Sequence, residues 1–211
     1  MNTFLLSSLF FSISHAYDPS TPHPHKPTLQ RITSKPAAAT LSSGDLEKLK
    51  KGDVVLQTIA DGDSDGGRGV AIQYVNAPAE TVWDTILAYD RYPDWVDNVV
   101  TCSVYKKDAN QLYVEMISSI WGVKIGLYTI NDIHKEQGYM TWALDPARTS
   151  DAADMVGYWR VEQISTSPPT TRLDYATDMR VQGVPSFIAS YLTKGALVDG
   201  TAWVKKQSER R

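Results

Sequence analysis

The segment 184-VPSFIASYLTKGALVDGTAWVKKQ-207 carries the longest helical pattern in the chain, and the architecture turns on what that helix covers. Gly183 and Pro185 open it, and proline suits a first helical turn because its missing N–H would have no partner there. Val184, Ile188, Tyr191, Gly195, Val198 and Ala202 recur at helical spacing, with Leu192 and Ala196 widening the stripe. Lys205, Lys206, Arg210 and Arg211 gather at or just past the carboxyl end, where cations complement the helix dipole. Gly195, Ala196 and Ala202 make the apolar face partly small, which suits either close packing or a helix that lids a cavity.

Upstream lies a set of strands for it to cover. Leu173, Tyr175, Thr177, Met179 and Val181 alternate with Arg172, Asp174, Asp178 and Arg180, so this strand has one covered and one wet face. Trp159 and Val161 alternate in the same way with Arg160 and Glu162. Residues 99–105, 111–119, 122–133, 138–144, 155–164 and 171–181 are β-prone runs parted by turn signals, the pattern of an antiparallel meander. Residues 54–60 and 70–75 add two more. The sum is an α+β architecture, a strongly twisted antiparallel sheet with a long C-terminal helix over its apolar face.

Between the first two strands runs 61-DGDSDGGRG-69. Asp61, Asp63 and Asp65 with Gly66 match the first half of a calcium loop, but the twelfth position, where a bidentate glutamate belongs, is Ile72. An acidic, glycine-rich hairpin accounts for the same residues, and no metal site is assigned. Just before, Ser43 or Asp45 caps a short helix over Leu46 and Leu49 that ends near Gly52.

Asn76-Ala77-Pro78-Ala79-Glu80 ends a strand and starts a helix whose buried stripe is Val82, Trp83, Ile86 and Leu87, with Trp83 in the core. Together with Val75, Tyr92-Pro93-Asp94-Trp95 and Val99, this stretch resembles the opening of START-like (SRPBCC) domains. That superfamily holds polyketide cyclases, Bet v 1-type binders and Coq10-type ubiquinone-binding proteins. The resemblance runs from about residue 54 to the carboxyl end and implies the helix-grip fold, with a ligand between sheet and helix. Large or soft apolar side chains with a few polar tips suit such a space. The expected ligand-binding residues are Trp95, Met116, Trp121, Trp142, Trp159, Tyr175, Met179, Ile188, Tyr191 and Leu192.

The chain has 211 residues, 42% hydrophobic and 21% charged, which fits one domain with extensions. A formal charge of -3 offers no footprint for nucleic acid. Residues 1–16 read as a signal peptide, an apolar run over residues 4–13 followed by Ser14-His15-Ala16. That run is too short to span a membrane, so no span is expected after cleavage. Secretion or a periplasmic location follows. Residues 17–40 read as a flexible linker because Pro19, Pro22, Pro24, Pro27 and Pro36 interrupt it, and residues 41–211 as the START-like ligand-binding domain. The single cysteine, Cys102, rules out an intrachain disulfide.

No nucleophile elbow, phosphate-binding glycine loop or histidine-rich metal signature occurs in the folded part, and no catalytic residue or cofactor is assigned. His134, beside Lys135-Glu136-Gln137-Gly138, reads as a loop histidine. The expected function is an exported, monomeric binding or transport protein for a hydrophobic small molecule such as a lipid, quinone or sterol-like compound. A polyketide cyclase/aromatase-like enzyme using the same cavity is the alternative.

Overall fold

The computed structural model describes residues 17–59, 68–181 and 196–210. Residues 1–16, the acidic stretch containing Asp61, Asp63 and Asp65, and Ile188, Tyr191, Leu192 and Gly195 lie outside them. Eight antiparallel strands form one sheet: β1 (Val55–Ile59), β2 (Arg68–Val75), β3 (Val99–Asp108), β4 (Gln111–Ile120), β5 (Val123–His134), β6 (Tyr139–Leu144), β7 (Ala152–Thr166) and β8 (Pro169–Val181). Their order is β1-β2-β8-β7-β6-β5-β4-β3, so the consecutive strands β3 to β8 form the expected meander and β2 closes onto β8. Among the described residues the helices are α1 (Ser43–Lys51), α2 (Ala79–Ile86), α3 (Tyr92–Trp95) and α4 (Ala196–Ser208). This is the α+β helix-grip arrangement.

Local chemistry sets the helix ends. Ser42, one residue before Ser43 and three before Asp45, caps α1 in place of either: its side chain accepts from Asp45 N–H while the Asp45 carboxylate accepts from Ser42 N–H. Gly52 ends α1 at φ 90°, a conformation glycine adopts without strain. In α2, Val82 and Ile86 are fully buried, Trp83 nearly so and Leu87 half-buried. Fully burying such side chains stabilises by roughly 1.5–3 kcal/mol each.

Helix α4 packs on β2 and α2, so its buried line runs through Thr201, Val204 and Ser208. That line is about one residue round from the expected stripe. Ala202, placed on that stripe, is exposed and faces the space under the helix instead. The helix carries two faces because it has two neighbours. Ser208 Oγ lies 3.0 Å from Thr85 Oγ1, and Lys205 Nζ donates to Tyr74 O at 2.8 Å, fixing it at its carboxyl end.

The outer face of the sheet is also covered. Residues 17–40 run extended across it from β5 to β8, with Asp18 and Thr149 exchanging backbone hydrogen bonds of 2.9 Å. Thr28 and Leu29 N–H donate to Asp154 Oδ2 at 2.6 and 2.7 Å. His23 accepts from Ser150 N–H at Nδ1 and donates from Nε2 to Ala153 O at 3.0 Å. Leu49 of α1 and Ala39 join Val55, Val70, Ile72, Tyr158 and Ala176 in a second apolar cluster there. The wet face expected for β8 is therefore dry at Arg172 and Asp174, which are buried with Arg160. Arg172 grips Asp174 through Nε at 2.7 Å and Nη2 at 3.0 Å, and its Nη2 also donates to Ala39 O at 2.9 Å. A buried charge needs such pairing.

Candidate functional site

Between the inner face of the sheet and α4 lies a cavity of about 400 Å3. Strand alternation builds its wall: Ile125, Leu127, Thr129 and Asn131 come from β5, Met140 and Trp142 from β6, Met155 and Trp159 from β7, and Tyr175, Thr177 and Met179 from β8. Tyr89, Tyr92 and Cys102 close one end. Asp97, Asn98, Asp199 and Lys206, all exposed, form a polar rim where α4 passes the turn after α3.

Aromatic contacts hold the wall in shape. Trp159 and Tyr175 pack at 4.4 Å between ring centroids, and Trp142 stacks on Tyr175 at 5.7 Å. Trp203 of α4 meets Tyr92 edge-on at 4.8 Å, tying α4 to α3 across the cavity end. Gly200 lets α4 settle onto Tyr175, since a Cβ there would stand 2.6 Å from Tyr175 Cε1.

Of the expected ligand-binding residues, Trp95, Met116, Trp142, Trp159, Tyr175 and Met179 come together on this wall. Trp121 does not. It sits in the β4–β5 turn at φ 47°, 67% exposed, because the tight turn directs it away from the sheet's inner face. Tyr89, Tyr92, Cys102, Thr129, Asn131 and Thr177 line the cavity as well and were not among the expected residues. The β5 pair was signalled by the period-two run Ile125, Leu127, Thr129, Asn131, which places them on the apolar face.

Burial acts on the phenols and the thiol inside the cavity. Burial raises the phenol of Tyr175 to about 12 and pushes those of Tyr89 and Tyr92 up further. Burial, aided by the charges of Glu115 and Asp90, raises the Cys102 thiol to about 12. Two hydroxyls are already engaged: Tyr92 donates to Ile86 O at 2.6 Å and Tyr89 to Met140 Sδ at 3.7 Å. His134 lies away from the cavity, stacked on Tyr139 at 4.5 Å and 3.3 Å from Asp132. Among the described residues no group of three or more His, Cys, Asp or Glu is placed to hold a metal ion, and no helix is long and apolar enough to cross a membrane.

The family model for polyketide cyclase / dehydrase and lipid transport matches residues 70–209, which spans the sheet from β2 onward and α4. The chain belongs to that family. Solved structures share its fold. Zhui aromatase/cyclase from Streptomyces sp. R1128 superposes with a TM-score of 0.59 at 15% identity, covering 67% of this chain and 93% of that one. A STAR-related lipid transfer protein from Xanthomonas axonopodis gives 0.55 at 14% identity over 75% and 99%. A START superfamily protein from Mycobacterium smegmatis gives 0.55 at 16% identity over 67% and 96%. Among curated proteins no sequence match was found.

Proposed function

We propose that the chain is an exported, non-catalytic binding or transport protein for a hydrophobic small molecule, a lipid, quinone or sterol-like compound, held between the sheet and α4. The observation that carries this reading is the make-up of the cavity wall: aromatic and aliphatic side chains dominate it, the neutral polar groups of Ser118, Thr129, Asn131 and Thr177 are few, and charge is confined to the rim, as in sites that bury apolar ligands. Burial also pushes the phenol of Tyr175 and the thiol of Cys102 up, away from the near-neutral value that suits a general base or nucleophile. The lipid transfer protein among the structural neighbours is consistent with this use of the fold. Export is supported by the apolar run over residues 4–13.

The test is calorimetric titration with lipids, quinones and sterols, followed by mass analysis of the recovered ligand after long incubation. Saturable binding with an unchanged ligand mass supports the proposal. A changed ligand mass would move the chain to a cyclase or other enzyme acting in the same cavity.

A further inference from the structure

Trp121 is out of place as a residue of the fold. It occupies the two-residue turn between β4 and β5, where Ile120 pairs with Val123 and both turn positions have positive φ, 47° at Trp121 and 83° at Gly122. Such a turn favours Asn-Gly, because a bulky side chain is strained at positive φ. Trp121 is also 67% exposed. The chain thus keeps a large apolar side chain where it strains the backbone and gains little burial, which points to a use outside the core.

Its place is the mouth of the cavity. Ile120 and Ile125, on either side of the turn, line the cavity, and Asn98 O accepts from Ser119 N–H at 2.7 Å, so the turn stands beside the rim residues Asp97 and Asn98. Val100, 51% exposed, follows Val99, which pairs with Ser118. Trp121 and Val100 are two exposed apolar points on one side of the opening. Charge around them is balanced. Lys124, the register partner of Ser119, and Lys206 are exposed, and so are Asp97 and Asp199.

We propose that this rim is a membrane-docking surface anchored by Trp121, and that its occupant is the interface of a lipid bilayer. Tryptophan favours the headgroup level, where its ring meets acyl chains and its N–H stays among polar groups. Two cations and two anions complement a zwitterionic headgroup layer, whereas an anionic surface would call for a basic cluster. A stable protein interface takes about 800 Å2 from each partner, which is broader than one hairpin tip and one strand residue. Docked this way, the opening faces the layer that holds apolar compounds, and a ligand passes between bilayer and cavity without crossing water. So few side chains hold the protein weakly, and docking is reversible. This inference rests on the binding role proposed above and names the surface from which the cavity is loaded.

The test uses the full chain, vesicles of brominated phosphatidylcholine, and Trp121→Asn, a substitution suited to positive φ. Bromine in the acyl chains quenches a tryptophan that enters the bilayer, so the readout is specific to the tip and not to the apolar run at residues 4–13. Titration with pyrene in vesicle-free buffer reads the cavity separately. The unmodified protein is expected to be quenched, and the five tryptophans left in the variant to be quenched little. Trp121→Asn should also melt about 2–4 °C higher, because strain is relieved, and bind pyrene within about twofold. Val100→Ser keeps the Trp121 probe and should weaken the partitioning read from its quenching about threefold, an independent reading if Trp121→Asn does not fold. An unmodified protein that is not quenched, or quenching equal in Trp121→Asn, would overturn the docking surface and leave the binding role standing where pyrene binds. Quenching abolished by about 0.5 M salt would overturn the apolar anchor. Trp121-dependent quenching without pyrene binding would uphold the surface and overturn the binding role.

Discussion

The indole of Trp142 lies directly on the backbone of Gly157, so closely that a Cβ at residue 157 would collide with the ring and stand 2.6 Å from Ala176 O. Glycine weakens a strand interior, and here it is the residue that admits a large cavity-wall side chain. Gly157→Ala should lower stability by about 1–3 kcal/mol, the usual cost of overpacking, and should weaken ligand binding by displacing Trp142. Urea unfolding and calorimetric titration check both. Unchanged values would mean that the ring moves aside without cost.

A second glycine sets the height of α4 over the sheet. In an ordinary helix Gly200→Ala would stabilise by about 1 kcal/mol, but here the new methyl meets Tyr175 at 2.6 Å. The expected outcome is no net gain in stability and an affinity loss of about fivefold, because Tyr175 is forced into the cavity or α4 is lifted. A gain of the full propensity term with unchanged affinity would show that α4 has slack over the ring.

Beneath α1 and the 17–40 segment, Asp174 is 1% exposed and gripped by Arg172, with Arg160 Nη1 at 3.5 Å. Asp174→Asn should cost about 3–5 kcal/mol, since it leaves two buried guanidinium groups without their shared carboxylate. Thermal and urea unfolding report it. A loss below about 1 kcal/mol would mean that water reaches the pair, as it does for surface ion pairs.

Cys102 provides a pH test with a defined sign. Burial pushes its thiol up to about 12 in the folded chain from the ordinary 9.0, so below pH 9 it is neutral in both states and contributes no pH dependence. Between 9 and 12 the unfolded chain loses the proton and the folded chain keeps it, so stability falls with pH by up to about 1.4 kcal/mol per unit from this group. Tyr175, raised to about 12, steepens the upper part of that fall. Cys102→Ala should flatten the slope, and the folded thiol should resist iodoacetamide at pH 8. Rapid alkylation there would show an accessible thiolate instead.

Alternation along β8, from Leu173 through Val181, and the α2 stripe at Val82, Trp83 and Ile86 made the sheet and its first helix legible in the sequence, because both bury one face against one neighbour. Where an element has two neighbours, periodicity misled. Helix α4 buries Thr201 and Val204 against α2 and β2 while Ala202 faces the cavity, so a single stripe could not describe it. The burial of Arg172 and Asp174 was illegible for another reason. The segment that covers them has no apolar period and is held largely through backbone groups, such as Thr28 and Leu29 N–H on Asp154. Trp121 was misplaced because composition alone cannot tell a wall tryptophan from one at a turn. Asn131 and Thr129 sat in view within an apolar alternation, where polar residues at inward positions point to a site.

The most direct measurement of whether the cavity holds an apolar ligand is native mass spectrometry after incubating the chain with a total lipid extract, compared with a cavity-filling variant, Met116→Trp, whose side chain sits on the wall. The expected result is a one-to-one adduct on the unmodified protein, released as an apolar compound on organic extraction and strongly reduced in the filled variant. An unmodified protein without adduct, or an adduct equally abundant on the filled variant, would contradict a ligand between the sheet and α4.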